Sequence, residues 1–225
     1  MTITFADEMK QHSIKRWQKI LNHKFLIEIS KDILPMDKFL FYLEQDNYFL
    51  QVFSRFLQSA KQKTTDYQMK EWLDDVYKST VDFEMKMQRE LLGTISSFSS
   101  NSAVTKQNIS PTDTILEYTH YLLQISSSGT INEIVSAMAP CPWTYLEIAQ
   151  LLSKHHIKNE AYRNWVQFYC SNESQKQVKE LKQFLNALSE NENENSKYVM
   201  KNHFAFACNY EYSFWDMAYN LGDND

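Results

Sequence analysis

Apolar side chains recur along this chain at the spacing of an α-helix, and this periodicity constrains the fold more than any other feature. In one stretch the large apolar residues follow each other at steps of three, four and seven, which places them on one helix face. They are Phe39, Tyr42, Leu43, Phe49, Leu50, Phe53 and Leu57. The 225 residues include only three glycines and four prolines, too few for the tight turns of a β-sandwich or barrel. The fold class is therefore predicted to be all-α, a multi-helix bundle.

Capping residues and helix breakers indicate the first helix boundaries. Pro35 is predicted to open the helix just described, because proline suits the start of a helix. A second helix is predicted over about 66–92, with Gly93 as its C-terminal cap. Its apolar side is expected to carry Met69, Trp72, Leu73, Val76, Phe83 and Met87.

The second half of the chain shows the same alternation of helix and breaker. A stretch rich in Ser, Thr and Asn predicts a loop from Ser96 to Ser110, and Pro111 starts a helix that ends over 126–129. The predicted helices that follow span about 131–154, 158–170, 173–189 and 197–220, with a polar linker at 191–196. No repeat or shift in composition marks a boundary, so seven or eight helices are expected in a single domain over 1–225.

Charge and composition exclude several classes of protein. The net charge of −5 and the scattered Lys and Arg residues disfavour a protein that binds nucleic acid through a basic face. The apolar runs are too short for a membrane span, and the N-terminus lacks the features of a signal peptide, so a cytoplasmic location is expected. Three cysteines without CxxC spacing support neither a disulfide framework nor a zinc knuckle. The three glycines lie too far apart for a phosphate-binding loop.

One cysteine lies between two prolines, in Pro140-Cys141-Pro142. Each proline removes a backbone N–H, so the helix is predicted to kink or restart there. A restart at Pro142 places Cys141 at a helix N-terminus, where the helix dipole lowers the thiol pKa. Tyr145 follows one turn later on the same face. The alternative is an inert, buried cysteine beside a structural kink.

Two carboxylates lie within apolar patterns. Glu211 shares a helix face with Cys208, Phe214 and Trp215, and desolvation there raises the pKa of a carboxyl into the range of acid–base catalysis. The alternative is an ion pair with a lysine at the rim. Asp46 lies one turn from Tyr42, where an unpaired charge is costly, so it is either paired structurally or binds a polar ligand.

Metal-binding patterns are weak. Glu117 and His120 have the Glu-x-x-His spacing of di-iron bundles, and Glu8 and His12 form another acidic–histidine pair. Because di-iron sites need two Glu-x-x-His motifs and this chain has one, no metal site is predicted. His155 and His156 are expected at the surface, near a helix end. His23 is interpreted as a packed or helix-linked histidine rather than a haem ligand.

Several short motifs together resemble the TenA-like thiaminase II family over nearly the whole chain. They appear in the family's order as His23-Lys-Phe25, Leu34-Pro35, Phe39, Tyr42, Gln45-Asp46, Pro140-Cys141-Pro-Trp143-x-Tyr145 and Tyr210-Glu211-Tyr-x-Phe214-Trp215-x-Met-Ala-Tyr219. The resemblance implies a haem-oxygenase-like helical fold and a homotetramer. It also implies hydrolysis of 4-amino-5-aminomethyl-2-methylpyrimidine, and in some members thiamin, to the hydroxymethyl pyrimidine used in thiamin salvage, without a cofactor.

The resemblance also assigns roles to residues. Cys141 matches the family's nucleophile, Glu211 its acid–base residue and Asp46 the aspartate that orients the substrate. The pocket tyrosines match Tyr118, Tyr145 and Tyr169.

Three positions depart from the family pattern. Phe49 stands where the family often has tyrosine, which removes one hydroxyl from the expected site. Asp32 replaces a common loop glycine, which is tolerable because Asp enters the left-handed region more easily than most residues. Lys24 replaces a common proline.

The alternative function is the binding of a pyrimidine without turnover.

Overall fold

The computed structural model describes residues 3–98 and 110–223, and in this part of the chain it contains helices and no strands. The all-α prediction is therefore confirmed. The helices are α1 (Phe5–His12), α2 (Ile14–Leu21), α3 (Lys24–Ser30), α4 (Met36–Gln62), α5 (Tyr67–Lys78), a π-helix (Ser79–Glu84), α6 (Met85–Phe98), α7 (Asp113–Ser128), α8 (Ile131–Met138), α9 (Pro140–Leu152), α10 (Glu160–Tyr169), α11 (Asn172–Ser189) and α12 (Glu194–Asn220). The expected seven or eight helices were too few, because three short helices precede Pro35 and two predicted helices are divided.

Side-chain caps fix most of the helix starts. Ser, Thr, Asp and Asn accept hydrogen bonds from the otherwise unpaired N–H groups of the first turn. Such caps are Thr4, Asp66, Thr112, Thr130, Asn159, Ser171 and Asn193. The predicted starts at Pro35 and after Pro111 are confirmed, since Pro35 and Thr112 directly precede α4 and α7. Gly129 follows α7 as its C-cap, also as predicted.

The predicted second helix differs from the observed one in two respects. Gly93 is not a cap but an interior residue of α6, and a Cβ built there would have no neighbour within 4 Å. Phe83 does not face the core but is 63% exposed, because it lies in the π-helical turn that α-helical periodicity does not describe. Residues 96–98 of the predicted loop belong to α6, and 99–109 lie outside the described residues.

The proline-flanked cysteine divides the predicted helix over 131–154. The α8 helix ends at Met138, and α9 begins at Pro140 rather than at Pro142. Proline is tolerated in the first turn of a helix because N–H groups there have no partner inside the helix. At the other end of the chain, α12 begins at Glu194, so the last part of the predicted polar linker is helical.

The two longest helices, α4 and α12, form the centre of the bundle. The α4 helix packs against α5, α7 and α12, and α12 also packs against α2, α8 and α9. Four of the five tryptophans are almost completely buried in the core: Trp17, Trp143, Trp165 and Trp215. Among the described helices, none is both long and apolar enough for a membrane span.

Asp32 closes the turn between α3 and α4. Its backbone is left-handed, with φ of 63°, as the sequence comparison with a family glycine anticipated. Its carboxylate accepts hydrogen bonds from the N–H groups of Lys158 and Asn159, at 3.0 Å each. The side chain thereby ties this turn to the start of α10, which is a contact glycine could not supply.

Candidate active site

The start of α9 places Cys141 on the wall of a small cavity. Cys141 is the second residue of that helix, and it is partly exposed. The cavity has a volume of about 60 Å³, room for a few water molecules. The side chains on its wall include Thr80, Glu84, Cys141, Tyr145, Phe168 and Tyr169. The predicted site residues Cys141, Tyr145 and Tyr169 are therefore brought together.

Glu147 fixes the orientation of the helix that carries the cysteine. Its carboxylate accepts hydrogen bonds from the indoles of Trp17, at 2.9 Å, and Trp143, at 2.7 Å. The ammonium of Lys10 lies 2.6 Å from the same carboxylate. Since these partners come from α1, α2 and α9 itself, the cluster holds α9 in one rotation about its axis.

Asp46 lies on α4, only 3% exposed. The hydroxyl of Tyr42 donates to its Oδ2 at 3.0 Å, and the amide of Gln88 donates to the same oxygen. The Tyr42 hydroxyl also accepts from Trp165 at 3.1 Å and lies 3.3 Å from the Tyr145 hydroxyl. Burial raises the pKa of Asp46 to about 7, against the lowering effect of its hydrogen bonds. Asp46 is thus joined to the cavity wall through Tyr42 and Tyr145.

Glu211 lies on α12 and is also 3% exposed. Tyr118 donates to its Oε1 at 2.7 Å. Burial raises the pKa of Glu211 to about 8, and the expectation of a desolvated carboxyl is confirmed. The rings of Phe49 and Tyr118 pack with centroids 5.0 Å apart. Glu211, Tyr118 and Phe49 lie behind the cavity wall rather than on it.

The structure adds a third carboxyl that the sequence analysis missed. Glu84, the last residue of the π-helix, lines the cavity and accepts a 2.6 Å hydrogen bond from the Tyr169 hydroxyl. Burial, followed by the charge of Asp46, raises the pKa of Glu84 to about 8. The residues Thr80, Glu84 and Gln88 recur at steps of four along one face. This row of polar residues could have identified Glu84, but the sequence analysis considered only the apolar residues of this segment.

The predicted effect of the helix N-terminus on the cysteine was wrong. The pKa of the Cys141 thiol is raised well above its ordinary value, first by burial and then by the charges of Glu211, Glu84 and Asp46. The dipole of one helix end is outweighed because burial disfavours the thiolate and the charges of three acids disfavour it further. None of the described cationic side chains contributes to the shift of any of these four groups.

The weaker metal patterns do not face this cavity. Glu117, His120, Glu8 and His12 are all exposed, and the described residues contain no group of three His, Cys, Asp or Glu side chains suited to a metal ion. The pair at 155–156 is exposed, as predicted. His23 caps α3 through its Nδ1, and its Nε2 lies 3.0 Å from Asp216, which confirms a packed, helix-linked histidine.

Two curated proteins are similar in sequence to nearly the whole chain. An aminopyrimidine aminohydrolase from Bacillus subtilis is 27% identical over 215 residues, covering 96% of this chain and 89% of that protein. A second protein of that name, from Halalkalibacterium halodurans, is 27% identical over 224 residues, with 97% and 96% coverage.

Solved structures give the same result. A TenA homologue from P. horikoshii OT3 superposes with a TM-score of 0.83 at 26% identity, covering 98% of this chain and 100% of that one. A TenA homologue from Pyrococcus furiosus reaches 0.86 at 22% identity, with 95% and 99% coverage, and supports the fold alone. A family model matches residues 11–221, and the chain therefore belongs to the TENA/THI-4/PQQC family.

Proposed function

We propose that this protein is an aminopyrimidine aminohydrolase that converts 4-amino-5-aminomethyl-2-methylpyrimidine to the hydroxymethyl pyrimidine for thiamin salvage, with thiamin as a second substrate to be tested. Relatives of that name match nearly the whole chain. The observation that carries the proposal is the juxtaposition of one thiol with buried carboxyls whose pKa values lie at about 7 to 8. Groups of such pKa exchange protons readily near neutral pH.

Binding of a flat, electron-poor ring suits the aromatic surroundings of the cysteine. Tyr145, Tyr169 and Trp165 pack with centroids 4.8 to 5.9 Å apart, and aromatic faces stack well on such a ring. In this proposal Asp46 accepts a hydrogen bond from the ring amino group. Phe49 cannot offer the hydroxyl that many family members have at this position, so the ring edge relies on the remaining polar groups.

The raised thiol pKa requires a base next to the nucleophile. Glu211 contributes the largest charge effect on the pKa of Cys141, so it is the acid assigned to exchange protons with the thiol. In its carboxylate form Glu211 takes the thiol proton, and the thiolate then adds to a ring carbon. Glu211 passes the proton on to a ring nitrogen as negative charge develops there. One carboxyl thus acts as base and then as acid.

The covalent steps balance without a cofactor. The new S–C bond pushes electrons into the ring, and the C–N bond of the protonated amine breaks with both electrons on nitrogen, so that ammonia leaves. Water adds its oxygen to the exocyclic carbon, and its proton goes to the released ammonia. The S–C bond then breaks, and the ring-nitrogen proton returns through Glu211 to the Cys141 thiolate. The net reaction consumes one water and releases one ammonium ion.

Product detection by chromatography and mass spectrometry tests the proposal directly. The wild-type protein, supplied with the aminomethyl pyrimidine and with thiamin side by side, is expected to release the hydroxymethyl pyrimidine. Cys141→Ala should lower the rate by about a thousandfold or more, whereas Cys170→Ala, a matched change at another partly exposed cysteine, should not. Binding without product would favour the alternative of a non-catalytic pyrimidine-binding protein. Retention of most of the turnover in Cys141→Ala would disprove nucleophilic attack by this thiol.

Assembly is part of the same proposal. The family resemblance implies a homotetramer, and sedimentation equilibrium of the purified protein distinguishes that state from the 26.7 kDa monomer.

A further inference from the structure

Glu84 occupies a different part of the site from the other two acids. Asp46 and Glu211 are 3% exposed and lie behind the cavity wall, whereas Glu84 is partly exposed and lines the cavity together with Cys141. A group bound against Cys141 can therefore reach the Glu84 carboxylate directly. The mechanism proposed above gives this carboxyl no role.

The Glu84 carboxylate keeps unused acceptor capacity at the cavity. Within the described residues, it receives one hydrogen bond, from Tyr169 to Oε1, and forms no ion pair. A carboxylate has two oxygens that accept hydrogen bonds. The second oxygen of Glu84 can therefore accept from a ligand that carries N–H donors.

The charge balance leads to the same kind of ligand. The charges of three carboxyls act on the thiol, and none of the described Lys, Arg or His side chains offsets their charge. An isolated carboxylate in such surroundings is unfavourable unless a positive charge is nearby. A ligand that brings a cation would pair with the carboxylate and remove this cost.

We propose that Glu84, with Tyr169 beside it, forms the subsite for the cationic leaving group of the substrate, a protonated alkylamine carried on the pyrimidine ring. The inference rests on the proposed function and extends it by separating two tasks. Asp46 and Glu211 act on the ring from behind the cavity wall, and Glu84 holds the amine at the wall itself. Tyr169 donates to one carboxylate oxygen and leaves the other for the ammonium.

A comparison of two ligands tests this subsite. Isothermal titration calorimetry measures the binding of the aminomethyl pyrimidine, which is cationic, and of the hydroxymethyl pyrimidine, which is neutral. Glu84→Gln should weaken binding of the cationic ligand by about tenfold or more and change binding of the neutral ligand less than about twofold. Glu90→Gln, an equal change in charge at an exposed position of α6, the helix that directly follows, should alter neither. Thermal melting of each variant confirms that it is folded.

The outcomes separate this inference from the proposed function. If Glu84→Gln weakens the binding of both ligands equally, or weakens the binding of neither, the assignment of Glu84 is overturned and the hydrolase proposal is left intact. If the wild-type protein binds neither ligand, the proposed function fails and the subsite fails with it. A second measurement needs no variant: at neutral pH the wild-type protein should release more protons on binding the cationic ligand than the neutral one, because Glu84 ionises to meet the ammonium. Equal proton release would contradict the inference.

Discussion

Glu211→Gln isolates the energetic cost of holding this carboxyl away from water. The pKa of Glu211 is raised from 4.5 to about 8, so the folded protein holds a proton that the unfolded chain releases. Stability from this group is therefore greatest at low pH and is lost as the pH rises from about 4.5 to 8. With these folded and unfolded pKa values, proton linkage lowers the contribution of Glu211 to the free energy of unfolding by about 3 kcal/mol between about pH 5.5 and 8.5.

Urea unfolding at these two pH values measures the effect. The free energy of unfolding of the wild-type protein is expected to fall by about 3 kcal/mol more than that of Glu211→Gln over this interval. Glutamine keeps the shape of the side chain, and its amide oxygen still accepts the hydrogen bond from Tyr118. Glu117→Gln removes an exposed carboxyl from the helix of Tyr118 and serves as the matched control, with a pH dependence equal to that of the wild type.

Parallel curves for the wild type and Glu211→Gln would refute the reasoning, because they would mean that Glu211 titrates equally in the folded and unfolded states. The acid–base role has its own test in the pH–rate profile. An unchanged profile in Glu211→Gln would remove that role even if the stability difference were found.

Three further substitutions test the framework around the site. Tyr42→Phe deletes the hydroxyl that contacts Asp46, Tyr145 and Trp165, and should lower the free energy of unfolding by about 1–3 kcal/mol. An unchanged urea midpoint would mean that these hydrogen bonds do not stabilise the fold. Glu147→Ala leaves the buried indoles of Trp17 and Trp143 without an acceptor, and should cost about 2–4 kcal/mol by the same measurement. A smaller loss than about 1 kcal/mol would mean that these indoles find other partners. Gly93→Ala should stabilise the protein by about 0.5–1 kcal/mol in a thermal melt, because an interior helical glycine gains from a Cβ that meets no neighbour; destabilisation would indicate a capping role instead.

Local signals in the sequence were sufficient for much of the fold. Pro35 and Thr112 act on the backbone immediately beside them, so the starts of α4 and α7 could be predicted without knowledge of the packing. The flanking prolines of Cys141 interrupt a helix for reasons that lie within four residues. Apolar context likewise revealed that Glu211 is buried.

Properties that depend on distant parts of the chain were missed or mistaken. The thiol pKa of Cys141 depends first on burial and then on three carboxyls from three other helical segments, whereas the prediction considered only the dipole of its own helix. Gly93 was interpreted as a cap because glycine commonly follows the last turn of a helix. The helix nevertheless continues to Phe98. Glu84 escaped notice because the sequence analysis followed apolar residues and passed over the polar residues at steps of four in the same segment.

The π-helical turn over Ser79–Glu84 is a place where the chain can change length by one residue without turning the helix that follows. A π-helical turn holds about one residue more than the α-helical segment that covers the same rotation. Deletion of a single residue there would therefore let an ordinary α-helix form while α6 kept its orientation. A gap in this turn of an alignment is compatible with a carboxyl that still faces the cavity, provided that a glutamate stands at the position of Glu84.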